Sequence, residues 1–435
     1  MEPGRRRAIP HARRPAAAVA LLAVLLLLPA CTGGGTSSGS TGTVSLTAGP
    51  PPTSASASAT PTPTTTVPTP TPVTPDGLLT GPGISDTTIS LGLLVDPDRD
   101  RGFSDGLLLW ARTVNATGGI CGRKIEWRTS PSIGQLAQYD DLARSVAGMV
   151  ALPVGTARTA LAASAESDGM TVLTGSGTSA ELGTGLVPLG ATDDIKAINA
   201  LSYLQGTGVI ESGSTVGVLS DGTPGALNAL AGARWWADRQ GLVLDVRTGA
   251  ATGDWDGARA VLALTSPTEV ASLLAATAAD VTVITDLDGY EPTLWTAADG
   301  DRLLVDLITP AFGSDHPAAA AVARAYSESS RLPPGPRLLA GYAVGNGWAR
   351  LLGQACTSLD LTRTGIAGAA VTVGPASVDS LFGPSDPAEV VQDGLPATRV
   401  SSMAVADPSA PAGLRPLVWL QAAEGITDYV PGAAN

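Results

Sequence analysis

Histidine is nearly missing from this 435-residue chain, which holds two, His11 and His316. A histidine-based metal cluster is thereby excluded, and a Ser-His-Asp triad would have a single candidate base once a cleaved leader took His11 away. Cysteine is almost as scarce, with Cys31, Cys121 and Cys356. GxSxG occurs at residues 35–39 and 102–106, but the lone histidine of the folded part leaves little for such a serine to work with. No HExxH pair or phosphate loop occurs, so the sequence does not call for an enzyme or a cofactor. Charge is absent from residues 32–75, where Ser, Thr, Gly and Pro alternate as in TPTPTTTVPTPTPVTP. Such a stretch cannot bury apolar surface, so residues 31–80 are predicted to be a disordered tether. At roughly 3.1 Å per residue where it is polyproline-like, it reaches on the order of 100 Å. Past the N-terminal segment, no apolar run is long enough to cross a bilayer, so any channel must belong to another polypeptide. Positive charge is also short: the formal net charge is −13. An acidic chain speaks against nucleic acid and against lying on anionic lipid.

The N-terminus is built differently. Arg5, Arg6, Arg7, Arg13 and Arg14 precede an apolar run over residues 17–28, then Leu28-Pro29-Ala30-Cys31. Basic residues, a short apolar stretch and small residues in that order form a secretory signal over residues 1–30. Cys31 at its end resembles the bacterial lipobox, in which that cysteine becomes the acylated N-terminus. Removing residues 1–30 takes away five arginines and Glu2, leaving a mature chain near −17.

From about Gly77 onward the chain is long enough for two domains with proper cores. Residues 88–95 form an apolar run of the kind found in a buried parallel strand. Phe103, Leu107, Trp110, Ala111 and Val114 follow at helical spacing, Gly118-Gly119 ends that helix, and residues 124–128 resume as strand. Further strands are expected at 149–153 and 171–174. After Gly206 the pattern restarts, with strands at 215–219, 242–246, 281–285 and 303–307 and a helix through Trp235 and Trp236 stopped by Gly241. Strand and helix alternating twice predicts an α/β fold of two Rossmann-like parallel-sheet lobes.

The stretches GISDTTISLGLL and VNATGGICGRKIEW resemble the opening of the branched-chain amino acid type of substrate-binding protein, the solute receptors of bacterial ABC importers. TVLTGSGTSAEL, ATDDIKAINALSYL, GYAVGNGWARLLGQAC and LDLTRTGI resemble later segments of the same family in the same order. The resemblance runs from about residue 84 to 370. It implies the type I periplasmic binding protein fold, with lobes joined by a multi-crossover hinge. The first lobe is expected at 81–204 plus 315–415 and the second at 205–314 plus 416–435. In that topology Cys121 and Cys356 both belong to the first lobe. An exported chain meets an oxidising compartment, so the two are expected to pair.

In the family, hydroxyls and backbone groups at first-lobe helix starts hold the ligand's head group, where free N–H groups favour a carboxylate. The resemblance places Ser176 and Thr178 in that role; the competing reading of residues 175–179 is a plain turn and helix cap. The same stretch forms a partial GxGxxA fingerprint, without the acidic residue a dinucleotide site needs. Asp193 falls where the family carries an acid near the cleft, or else caps the next helix. Gly155 stands where the family has a serine, with Thr156 or Arg158 as substitutes; Arg158 is either a carboxylate clamp or a solvated helix-start residue. Thr223-Pro224-Gly225 replaces an aromatic-glycine pair of many relatives. Asp286, Asp288 and Tyr290 follow a strand end, where ligands of parallel sheets bind, or form a surface turn. His316 reads as a cap or surface residue, and Asn115-Ala-Thr117 as a chance glycosylation sequon.

The function implied is a monomeric, lipid-anchored extracytoplasmic receptor for a small polar molecule, an amino acid or a relative, delivered to ABC permease subunits. The alternative is a receptor of the same fold that senses or binds the cell envelope without transport, favoured by the departures at Gly155 and Pro224.

Overall fold

The computed structural model describes residues 77–96, 98–153, 155, 157–249, 255–296 and 300–432. The expected signal segment, Cys31, most of the expected tether and Thr156 lie outside the described residues. The last residues given to the tether belong to the folded part, because Leu78 is buried and β1 (Leu79–Thr80) pairs in parallel with β12 (Asp360–Leu361).

The first lobe follows the apolar pattern closely. In chain order come β2 (Thr88–Leu94), α1 (Arg101–Ala116), β3 (Lys124–Arg128), α2 (Gln135–Leu142), β4 (Gly148–Ala151), α3 (Ala157–Ser167), β5 (Val172–Thr174) and β6 (Leu186–Pro188). The strands form an all-parallel sheet in the order β3-β2-β4-β5-β6. Six of the seven residues of β2 are buried, as a central strand covered on both faces requires. Three later helices complete the lobe: α7 (Pro317–Ser329), α8 (Leu338–Thr357) and α9 (Arg363–Thr372). Trp110 of α1 and Trp348 of α8 are almost wholly buried in its core.

The second lobe contains α4 (Asp193–Gly206), β7 (Thr215–Ser220), α5 (Pro224–Gln240), β8 (Val243–Thr248), β9 (Ala258–Leu264), α6 (Pro267–Ala276), β10 (Thr282–Asp286) and β11 (Leu303–Leu307). Its start and stop signals are local. Thr223 Oγ1 accepts from the Ala226 N–H at 3.3 Å, Pro224 opens α5, and Gly241 ends it in the left-handed conformation with φ 68°. The sheet has the order β14-β13-β11-β10-β9-β7-β8, in which β13 (Ser401–Ala406) and β14 (Leu414–Gln421) are antiparallel additions to a parallel set.

Two lobe boundaries therefore move. Helix α4, expected in the first lobe within 81–204, packs its Ile195, Ile198 and Leu201 into the core of the second, against α5. Residues 401–415, also expected in the first lobe, form a strand and the start of another on the second-lobe sheet. The physical reason is that β11 would otherwise be an open edge, and β13 supplies its missing ladder. The chain thus crosses between lobes after β6, after β11 and just before β13. Asn199 pins the last crossover: its amide donates to the Arg399 carbonyl at 3.1 Å and its Oδ1 accepts from the Ala423 N–H at 2.8 Å.

Cys121 and Cys356 stand at disulfide distance, with Cα atoms 6.1 Å apart. Cys121 sits in a tight turn, itself in the left-handed region at φ 51°, and Cys356 lies in the last turn of α8. Asn115 of the sequon is occupied structurally, donating to the Ile125 carbonyl and accepting from its N–H at 2.9 and 2.7 Å. Among the described residues no helix is long and apolar enough to cross a membrane.

Candidate functional site

A cavity of about 210 Å³ opens where the carboxyl ends of both sheets face each other, and a smaller one of about 50 Å³ adjoins it on the first-lobe side. Strand carboxyl ends collect ligands in parallel sheets because loops and helix N-termini converge there. From the first lobe come Arg99 after β2, Gly155 and Arg158 after β4, and Ser176 after β5. From the second come Asp221 and Thr223 after β7, Thr265 after β9, and Asp286 and Asp288 at and beyond the end of β10. The large cavity runs on into an apolar arm between helices and sheet, lined by Ala197 and Ala200 of α4, Ala226 and Ala229 of α5, Leu262 of β9 and Ile284 of β10. Alanine on the inner faces of both helices leaves that arm open.

Where the arm meets the smaller cavity the walls are charged. Lys196 Nζ lies 3.0 Å from Asp193 Oδ1 and 2.7 Å from Asp286 Oδ2. Arg158 pairs with Glu181 at 2.6 Å, and Arg99 with Asp100 at 2.9 Å. Arg337, at the start of α8, reaches across the lobes to Asp288 at 2.7 Å and donates to the Leu287 carbonyl. A second link between the lobes runs through Asn228 of α5, whose Oδ1 accepts from the Ser179 N–H at 3.2 Å and whose amide donates to Ser179 Oγ at 3.1 Å.

These surroundings move the titrations. Burial works against charge on Lys196, but Asp286 and Asp193 outweigh it and hold its pKa above the usual value. Burial pushes Asp193 up to about 6, against Lys196 and Arg158, with Asp286 pushing the same way. A folded value above the unfolded one means that the native state binds the extra proton. The stability Asp193 contributes is therefore present below about pH 4 and lost as pH rises through about 6. Asp193→Asn removes that loss, so its melting temperature should gain on the parent's between pH 4 and 7. A gap constant across that range would show that Asp193 titrates normally.

The candidates from the sequence separate cleanly. Gly155, Arg158, Ser176, Asp193 and Asp288 line the cavities. Thr178 does not: it is buried at the cap position of a short 3-10 turn, Ser179–Glu181. Tyr290 is a correction too. Its ring stacks on Trp295 with centroids 6.1 Å apart and its hydroxyl donates to the Gly413 carbonyl, so it braces the outer second lobe. Asp193 is the first residue of α4 and Thr192 its cap. His316 caps α7, accepting from the Ala319 N–H at 3.5 Å, but it is buried against Trp419 rather than on the surface.

The sequence reading missed Lys196, Arg99, Arg337 and Asp306. Asp306 had a signal, an acid interrupting the apolar strand LLVDL. Lys196 had a fainter one, three positions after Asp193 on one helix face. Among the described residues no group of three or more His, Cys, Asp and Glu side chains is placed to hold a metal ion.

No family model matches this chain, and no curated protein does. Solved structures do. A fatty acid ABC transporter substrate-binding protein from Thermomonospora curvata superposes with a TM-score of 0.73 at 24% identity, covering 82% of this chain and 98% of that one. An ABC transporter substrate-binding protein from Aeropyrum pernix gives 0.62 at 15% identity, covering 78% and 97%. A branched-chain amino acid ABC transporter protein from Thermus thermophilus with bound valine gives 0.60 at 12% identity, covering 79% and 98%. At these identities the likeness establishes the fold: two α/β lobes of the type I periplasmic-binding-protein kind.

Proposed function

We propose that this protein is an extracytoplasmic solute receptor that binds a small amphipathic molecule, an amino acid or a related compound, between its lobes and presents it to the permease of an ABC importer. The carrying observation is the cavity walled by both lobes at the carboxyl ends of their sheets. Ligand there bridges the two halves, shifts them toward the closed state and performs no chemistry. The fold relatives that carry valine or are named for fatty acids support a ligand with an apolar part. Cys31 would anchor the mature protein to the outer face of the bacterial cell membrane, and the acidic chain would work as a monomer without nucleic acid.

Gly155, exposed at the rim with φ 51°, and Pro224, at the start of α5, support the second reading of a non-transporting receptor, since a family hydroxyl and a covering ring are lost there. A thermal-shift screen against amino acids, amides, amines and small carboxylates tests the first reading. Ligand at 100 times its dissociation constant stabilises by about 2.7 kcal/mol. Silence from the folded protein across the panel would leave the non-transporting receptor.

Of the two first-lobe hydroxyls, Ser176 is the better contact. It lines the smaller cavity, and its Oγ donates to the Ala191 carbonyl at 2.8 Å, leaving its lone pairs to accept. Ser176→Ala should weaken ligand binding by about 1 kcal/mol, roughly five-fold, with Thr178→Ala close to neutral for binding. The reverse order in a titration would restore Thr178 to the site.

A further inference from the structure

The charges lining the cleft are not evenly matched. Each of its four cations among the described residues already holds a carboxylate of the chain: Arg99 on Asp100, Arg158 on Glu181, Lys196 on Asp193 and Asp286, Arg337 on Asp288. Asp221 and Asp306 hold no cation among the described residues, and of the two only Asp306 is buried. It is 4% exposed, and neither of its carboxylate oxygens has a hydrogen-bond partner. It lines both the large cavity and the small one, so it sits where the charged neck meets the apolar arm. Lys196 of α4, Asp286 of β10 and the hydroxyl-bearing Ser401 of β13 face it, with Asp193 behind Lys196. Burial holds its carboxyl well above the usual carboxylate range; Lys196 and Ser401 pull the other way, and Asp286 adds to the rise.

A buried polar group with no partner is costly, and in a binding cavity the missing partner is supplied by the ligand. A ligand carboxylate entering this neck would compete with the chain's own acids for every cation it met. An ammonium would meet a buried acid whose oxygens hold no cation of the chain. We propose that the ligand of this cleft is an amphipathic amine without a carboxylate, its ammonium paired with Asp306 and its apolar tail in the arm beneath α4 and α5.

This rests on the reading of the cleft as a small-molecule site and narrows the class of molecule. At any pH where Asp306 is protonated in the unliganded protein, pairing with an amine already protonated in solution ionises the carboxyl and releases that proton to solvent. Affinity therefore rises with pH until Asp306 is ionised in the unliganded protein, then levels off.

Calorimetric titration of the purified protein with hexylamine, hexanoate and leucine, each in two buffers of different ionisation enthalpy, tests this. Hexylamine should bind at least ten-fold more tightly than either carboxylate and release protons at the acidic end of a pH series, the release fading once Asp306 is ionised without ligand. Asp306→Asn should weaken hexylamine at least ten-fold and abolish the proton release. Ala229→Phe, which fills the arm and leaves Asp306 in place, should weaken it as well, so the proposal does not hang on one variant folding. Tighter binding of leucine or hexanoate, or an unchanged hexylamine affinity in Asp306→Asn, would overturn the amine while leaving the solute-receptor reading intact. No heat from any of the three probes overturns the amine alone, because the broader screen above decides the receptor reading separately.

Discussion

Replacing Cys121 and Cys356 together by serine should lower the stability of the folded chain by about 3–5 kcal/mol and leave ligand affinity where it was. The two residues are separated by 235 positions, yet their Cα atoms stand 6.1 Å apart. Closing so long a loop removes about 5 kcal/mol of chain entropy from the unfolded state in the simplest model, and an enthalpic share in the native state changes the mechanism more than the sign. Affinity is spared because of where the bond lies. Cys121 follows α1 and Cys356 ends α8, and both pack on the first-lobe core, so the bond staples one lobe and spans no crossover. Urea unfolding of the oxidised parent, the reduced parent and the double serine variant reads the effect. Equal midpoints would show that the pair is not bonded, and a loss of affinity would show that the first lobe's rigidity reaches the cleft.

Gly106→Ala should cost about 2–4 kcal/mol, although alanine is the better helix former by roughly 1 kcal/mol. The reason is the crossing of α1 and α8, where the two helix backbones touch. A Cβ at Gly106 would overlap the Leu338 carbonyl oxygen and stand 2.7 Å from the Tyr342 nitrogen; one at Gly341 would overlap the carbonyl of Phe103. Backbone cannot swing aside as a flexible side chain can, so the whole crossing must open, and with it the burial of Trp110 and Trp348. Gly353, also within α8, supplies the control because a Cβ there meets nothing within 4 Å. Gly353→Ala should be neutral or stabilising by up to about 1 kcal/mol. If both variants lose stability alike, helix propensity and local strain explain the loss and the crossing does not.

Both effects draw on residues far apart in the chain, which is also where reading the sequence reached its limit. The apolar runs at β2, β7, β10 and β11 were plain because a strand covered on both faces must be apolar along its length. The helix ends at Gly118-Gly119 and Gly241 were plain because a left-handed turn favours glycine. Ser176, Arg158 and Asp193 were named by resemblance, and all three line the smaller cavity. Tyr290 and Thr178 shared the same local signals and turned inward instead. Nothing within a few residues of either announces whether the chain beyond a strand end faces the opposite lobe or its own.

The linear chain thus carried what depends on near neighbours: the alternation of strand and helix, the charge-free stretch over residues 32–75, and the scarcity of histidine that closes off several chemistries. Folding alone decided which lobe owns α4 and β13, because ownership follows from whose core or open edge a segment completes. It alone gave the cleft its electrostatics as well. Lys196 and Asp286 are 90 positions apart and bonded at 2.7 Å, while Asp306, on the strand next to Asp286, is left with no partner. A charge is matched or unmatched only by what surrounds it in three dimensions, and burial then magnifies the difference.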